Sequence, residues 1–164
     1  MSEIVHAKSA LRKEILAARK LKNTSGFTAN IHKLITELNP QRVAIYSSFG
    51  TEPDTQEFLK ESTLPVITPV THENHLSWVM NETQKETNLA PGDLLLIPAL
   101  AIDKSGNRLG RGKGYFDREL KSLPLGIKVY AIVYESEVLD EVPTEGHDHP
   151  VDGLITEVAI RNLN

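Results

Sequence analysis

The chain has 164 residues, 40% of them hydrophobic and 24% charged, and carries a formal net charge of −4. That length predicts one domain over residues 1–164 with a full core, and the composition is that of an ordinary soluble globular protein. The absence of cysteine excludes disulfide frameworks, thiolate zinc and cysteine nucleophiles, and the acidic balance argues against a dedicated nucleic-acid binder.

The opening "MSEIVHAKSALRKE" is charged early and has no apolar core segment, so no signal peptide is expected. No apolar run approaches the ~18 residues of a membrane span, and a cytoplasmic protein without a membrane partner is expected. Residues 8–22 predict a helix with Leu11, Ile15 and Ala18 on one face. Its basic side of Lys8, Arg12, Lys13, Arg19 and Lys20 reads as a solvated face. A second helix follows from Phe27, Ile31, Leu34, Ile35 and Leu38, stopped by Asn39-Pro40. "RVAIYSS" reads as a strand, and a short helix begins near Asp54 in "PDTQEFLKE". Strand candidates "LPVITPV" and "HLSWVM" flank the polar turn "THEN". "DLLLIPAL", after Pro91-Gly92, has the continuous apolar run of a strand buried on both faces. A loop then leads into a helix near 114–122, followed by the strands "IKVYAIVY" and "DGLITE". Helices alternating with buried strands predict an α/β fold, a three-layer sandwich around a mostly parallel sheet.

The loop "NRLGRGKGYFDREL" lies where open α/β sheets collect ligands, beyond the carboxyl end of a strand. Gly110, Gly112 and Gly114 alternate with Arg111 and Lys113, and Arg108 precedes them. Alternating glycines let backbone N–H groups turn inward without obstruction, forming an anion-binding nest. The cations supply charge-assisted hydrogen bonds. From Lys104 to Arg118 five Lys/Arg face the single acid Asp117, a local basic patch suited to a small polyphosphate. The spacing is neither a P-loop nor the dinucleotide fingerprint, since the glycines follow G-x-G-x-G. A flexible soluble turn is the bland alternative for a lone G-x-G. Three glycines, interleaved cations and the strand-loop-helix context together favour phosphate.

Polyphosphate travels with magnesium, which takes carboxylate oxygens and keeps several waters. Asp117 lies one turn into the helix after the loop, and "GHDHPVDG" offers Asp148 and Asp152. Asp117 also suits the first turn of a helix as a favourable charge. His147 and His149 around Asp148 read as a solvated polar turn rather than a transition-metal site.

The segment "IPALAIDKSGNRLGRGKGYFDREL" closely resembles the signature of the 5-formyltetrahydrofolate cyclo-ligase family, also called methenyltetrahydrofolate synthetases. "KSALRKEILAAR", "YSSFGTEPDT" and "HDHPVDGLITE" agree in order and spacing, so the resemblance spans almost the whole chain. It implies a small α/β sandwich that uses ATP and Mg²⁺ to convert 5-formyltetrahydrofolate into 5,10-methenyltetrahydrofolate, releasing ADP and phosphate. By that resemblance Lys8 and Arg12 match positions that contact ATP, and Arg108 through Phe116 match the phosphate loop. Within it lie Gly110, Arg111, Gly112, Lys113, Gly114, Tyr115 and Phe116, with Arg111 and Lys113 expected at the transferring phosphate. Asp117 and Asp148 match the magnesium positions. Glu52 matches the acid that holds the pterin end of the reduced folate, and on residues alone it equally suits an exposed acid before Pro53. Ser47 and Tyr115 match other substrate-lining positions, and Trp78 corresponds loosely to an aromatic of the folate pocket.

Two departures stand out. Many members carry two tyrosines before the aspartate, where this chain has Tyr115-Phe116, so a hydroxyl is lost. The G-x-x-E-P element is replaced by the short "ETNLAPGD", which predicts a pocket trimmed on one side. A monomer is expected. A non-catalytic relative holding nucleotide or RNA on its basic loop is the main rival, opposed by Glu52, Asp117 and the net charge. A phosphate-sugar isomerase on a similar sheet is a third reading, to which the magnesium-type aspartates lend no support.

Overall fold

The computed structural model describes residues 2–146 and 148–163. The first helix α1 spans Glu3–Arg19, beginning well before the periodic segment because the Ser2 side chain accepts from the Val5 amide at 3.2 Å and caps it. Helix α2 (Thr28–Leu38) ends where Asn39 takes a left-handed backbone, a common way to terminate a helix. Strand β1 (Arg42–Ile45), helix α3 (Gln56–Glu61), the antiparallel pair β2 (Val66–Thr71) and β3 (Leu76–Met80), the short β4 (Glu86–Thr87) and β5 (Asp93–Pro98) follow. After these come β6 (Ala101–Asp103), β7 (Arg108–Leu109), α4 (Tyr115–Lys121), β8 (Lys128–Ile132), β9 (Val138–Leu139), β10 (Gly153–Ile155) and β11 (Ile160–Asn162).

The main sheet has the order β11-β10-β8-β5-β1-β2-β3-β4. Its centre, β10 to β2, is parallel, while β11, β3 and β4 add on antiparallel. This is the expected mostly parallel sheet of a mixed α/β sandwich. Strand β5 shows why both faces are covered. Alternate residues of a strand face opposite ways, so Leu94 and Leu96 pack with Ile31, Leu34 and Phe58 of α2 and α3. Leu95 and Ile97 join the other core with Trp78, Ala131 and the partly buried Tyr115, Phe116 and Leu120 of α4.

A second sheet, β7-β6-β9, takes β6 and β7 from the stretch after β5 that reads as loop and β9 from beyond β8. Buried Asp103 builds it, accepting from the amides of Ser105, Asn107 and Val142 at 2.9–3.1 Å. Gly106 turns the hairpin with φ +84°, and a Cβ there would sit 2.6 Å from the Val151 carbonyl. Helix α1 packs on this sheet through Ile15, against Leu100, Ala101, Leu109 and Val142. No described helix is long and apolar enough to cross a membrane.

The chain leaves β1 for β2 on one side and returns to β5 on the other. This reversal opens a crevice at the carboxyl ends of β1 and β5, where α/β folds place ligands.

Candidate active site

Beyond β1, residues 46–55 form a closed loop rather than more strand. Thr55 Oγ1 donates to the Tyr46 carbonyl at 2.8 Å and accepts from the Ser48 amide at 2.9 Å. Ser48 Oγ in turn accepts from the Thr55 amide at 2.9 Å. Inside this ring Glu52 is buried, with Oε1 accepting from the Phe49 amide at 3.0 Å. The alternative of an exposed acid is therefore excluded. Ser47 is exposed at the rim, and its hydroxyl accepts from Gln56 at 2.8 Å.

The opposite chemistry comes from α1, β7 and the glycine loop. Arg108 lies on β7, not on a loose segment, and is 7% exposed. Its Nη2 donates to Asp117 Oδ1 at 2.7 Å, while its Nε is buried without an acceptor among the described residues. Burial pushes the guanidinium below its ordinary value, against the pull of Asp117 and Asp148. An unmet buried donor costs about 1–3 kcal/mol, so an anion supplied to this wall would be favoured. Arg12 Nε donates to the Gly110 carbonyl at 2.7 Å, which ties α1 to the loop. Arg111, Gly112 and Lys113 are exposed. Gly112 and Gly114 have φ +106° and +73°, conformations that side chains rarely adopt.

Lys8 is buried rather than part of a solvated face. Its ammonium lies 2.8 Å from Asp148 and 3.1 Å from Glu145. Burial lowers its affinity for a proton, but the hydrogen bonds to Asp148 and Glu145 outweigh this and hold it above its ordinary value. Arg19 leaves the predicted solvated face altogether. It is 2% exposed and grips Glu137 with two hydrogen bonds of 2.8 Å, with a third at 2.7 Å to the Ala99 carbonyl.

These groups share one cavity of about 820 Å³, within the range of small-molecule sites. It is lined by Lys8, Arg12, Ser47, Glu52, Arg108, Asp117, Asp148 and the whole run 110–116. Trp78 is the exception. It is buried in the core beneath α4, its indole N–H donates to Glu119 at 2.7 Å, and it forms no part of the cavity lining. Residues 86–93 also contribute no wall. They lead into the amino end of β5, where Arg42 clasps Asp93 at 2.7 Å, while the cavity lies at the carboxyl end. His147 lies outside the described residues.

Several lining residues were not singled out as site residues in the sequence: Tyr46, Phe49, Pro69, Thr71, Leu76 and Leu100. They are apolar or neutral positions brought in by the β1 loop, the β2–β3 pair and, for Leu100, the turn after β5, and only the folded sheet selects them. Tyr115 joins that pair to α4, its hydroxyl donating to the His72 carbonyl at 2.7 Å. Phe116 packs against the core and lines the cavity.

No group of three or more His, Asp or Glu capable of caging a metal occurs among the described residues. Asp117 and Asp148 do face the same cavity. That donor set fits magnesium, which uses one or two carboxylates and completes its shell with phosphate oxygens and water. The cavity thus pairs a cationic wall with an apolar one holding a single buried carboxylate. Such a site can bind a polyphosphate beside a flat, hydrogen-bonding ring.

The family model that matches the chain, over residues 69–157, is that of the 5-formyltetrahydrofolate cyclo-ligase family. A 5-formyltetrahydrofolate cyclo-ligase from Mycolicibacterium smegmatis is 42% identical over 79 residues, covering 48% of this chain and 38% of that protein. The chain therefore aligns with less than half the length of that relative. The 5-formyltetrahydrofolate cyclo-ligase of Escherichia coli is 30% identical over 144 residues, covering 70% of this chain and 76% of that protein. The solved 5,10-methenyltetrahydrofolate synthetase of Mycoplasma pneumoniae matches with a TM-score of 0.73 at 27% identity, covering 92% of this chain and 98% of that one.

Proposed function

Because this chain belongs to the 5-formyltetrahydrofolate cyclo-ligase family, we propose that it converts 5-formyltetrahydrofolate and ATP into 5,10-methenyltetrahydrofolate, ADP and phosphate. The formyl oxygen attacks the γ-phosphorus, an O–P bond forms, and ADP leaves. N10 then attacks the activated carbon, the C–O bond breaks, phosphate departs and the N10 proton passes to solvent. An amide-like oxygen leaves poorly until it is phosphorylated, which is why ATP is consumed.

Little covalent work falls to the protein, so catalysis is positioning and charge stabilisation. Arg111 and Lys113 meet the transferring phosphoryl group, while Lys8, Arg12 and Arg108 hold the remaining phosphate charge. The backbone of Gly110, Gly112 and Gly114 approaches the phosphates, and Tyr115 and Phe116 close the loop over them. Asp117 and Asp148 would hold Mg²⁺, which when bound neutralises phosphate charge. Glu52 accepts the paired N–H groups of the pterin edge, and Ser47 lines the rim beside it.

One observation carries this reading: the buried Arg108, with its unmet donor, shares a cavity with the buried Glu52 carboxylate. A phosphate site alone would explain the first but not the second. The test mixes the protein with 5-formyltetrahydrofolate, ATP and Mg²⁺ and follows the near-ultraviolet absorbance of the methenyl product. Product is expected, and chelation of the metal should abolish it. No product at high protein concentration, together with salt-sensitive RNA binding, would replace this reading with that of a non-catalytic relative.

A further inference from the structure

Glu52 is flanked by two peptide carbonyls, and each is captured by a buried phenol from a different strand end. The Tyr134 hydroxyl, beyond β8, donates to the Thr51 carbonyl at 2.7 Å. The Tyr46 hydroxyl, at the end of β1, donates to the Pro53 carbonyl at 2.8 Å. Tyr134 is 0% and Tyr46 4% exposed. Tyr134 is itself fixed, with the Arg19 guanidinium 5.3 Å from its ring centre and Phe27 edge-on at 5.5 Å. Arg19 is held in turn by Glu137.

A purely packing role at either position would be filled by phenylalanine, since a buried hydroxyl is unfavourable unless bonded. Here both hydroxyls are bonded, and both to the same loop, one on each side of a single acid. Burial pushes both phenols above their ordinary value, Tyr134 to about 12, and the Glu52 charge adds to this in each case. The two groups therefore stay protonated donors at any physiological pH.

We propose that Tyr46 and Tyr134 are positioning residues that hold the Glu52 carboxylate in place and so set the affinity for the pterin end of the substrate. The proposal rests on the cyclo-ligase reading given above. Neither hydroxyl needs to touch substrate: they fix the peptide units from which Glu52 projects.

The test uses the full chain with Tyr46→Phe, Tyr134→Phe and the double variant, each also made in a Glu52→Gln background. Loss of one hydrogen bond of ordinary net strength corresponds to about fivefold in affinity. KM for 5-formyltetrahydrofolate should rise by about that factor for each single variant and further for the double. KM for ATP and kcat should stay within about twofold of the parent protein. In the Glu52→Gln background the tyrosine changes should add little, because their effect passes through the carboxylate. Each single variant loses only one hydroxyl and carries the test if the double variant melts below assay temperature. Unchanged folate KM, parallel loss of kcat and ATP affinity, or full additivity with Glu52→Gln would each overturn the proposal. A parent protein that does not turn over 5-formyltetrahydrofolate would instead overturn the functional reading, and this proposal with it.

Discussion

Substitution Gly110→Ala tests whether the buried arginine organises the phosphate wall. Gly110 does not have a left-handed backbone, so alanine meets no conformational penalty there and any effect is steric. An added Cβ would lie 2.9 Å from Arg108 Nη1, whereas non-bonded heavy atoms settle at roughly 3.5–4.0 Å. The guanidinium must retreat by roughly 0.6–1 Å. Arg108 is only 7% exposed, and its other terminal nitrogen holds Asp117 at 2.7 Å. Such a shift stretches that bond beyond the ~3.2 Å reach of an N–H donor and moves the Asp117 carboxylate or releases it. Overpacking of this kind costs about 1–3 kcal/mol of stability, and a misplacement near 1 Å lowers turnover on the order of 100-fold. Steady-state kinetics should show higher ATP KM and lower kcat, with folate KM little changed. Gly146→Ala is the silent control, because nothing lies within 4 Å of its added Cβ. A Gly110→Ala enzyme with normal ATP KM and kcat would refute the assignment of Arg108 to the phosphate wall.

Arg111→Ala and Lys113→Ala should each lower turnover by about 10²–10³-fold. Both residues are exposed, so melting temperatures should barely move; near-normal turnover would show that the loop does not serve the transferring phosphate. Trp78→Phe should leave folate KM within about twofold while weakening the fold by about 1–3 kcal/mol through the space left by the smaller ring in the core, measured by denaturant titration. Arg19→Met leaves Glu137 as an uncompensated buried charge and should cost about 3–5 kcal/mol. Glu135 is held below its ordinary value mainly by the hydrogen bond from Arg161. A carboxylate with a depressed folded-state value contributes stability above its ordinary 4.5 and loses it as pH falls through the lower value. Glu135→Gln should thus lower the melting temperature at neutral pH, and the difference from the parent should vanish in stronger acid.

The α/β class and the glycine-rich cationic loop were legible because their signals are local. Period-3.6 apolar residues mark α2, and the unbroken apolar run marks β5 as buried on both faces. The close spacing of glycines and cations marks the loop without reference to anything distant. The short strands β6, β7 and β9 were not legible. Two or three residues carry no period, and what organises them is Asp103 reaching the Val142 amide, 39 positions away. The same limit hid Arg19, whose spacing places it with solvated cations although its partner Glu137 lies 118 positions on.

By itself, then, the sequence determined the chemistry on offer: a loop of alternating glycines and cations, carboxylates after it, no thiol, and strands that must be covered on both faces. Tertiary structure alone decided which of those groups meet. It brought Lys8 to Asp148 across 140 positions, buried Arg108, sent Trp78 into the core instead of the cavity, and set two tyrosines around Glu52. Propensity and periodicity act over a few residues, whereas a cavity is defined by strand order, and that order emerges only when the whole sheet is paired.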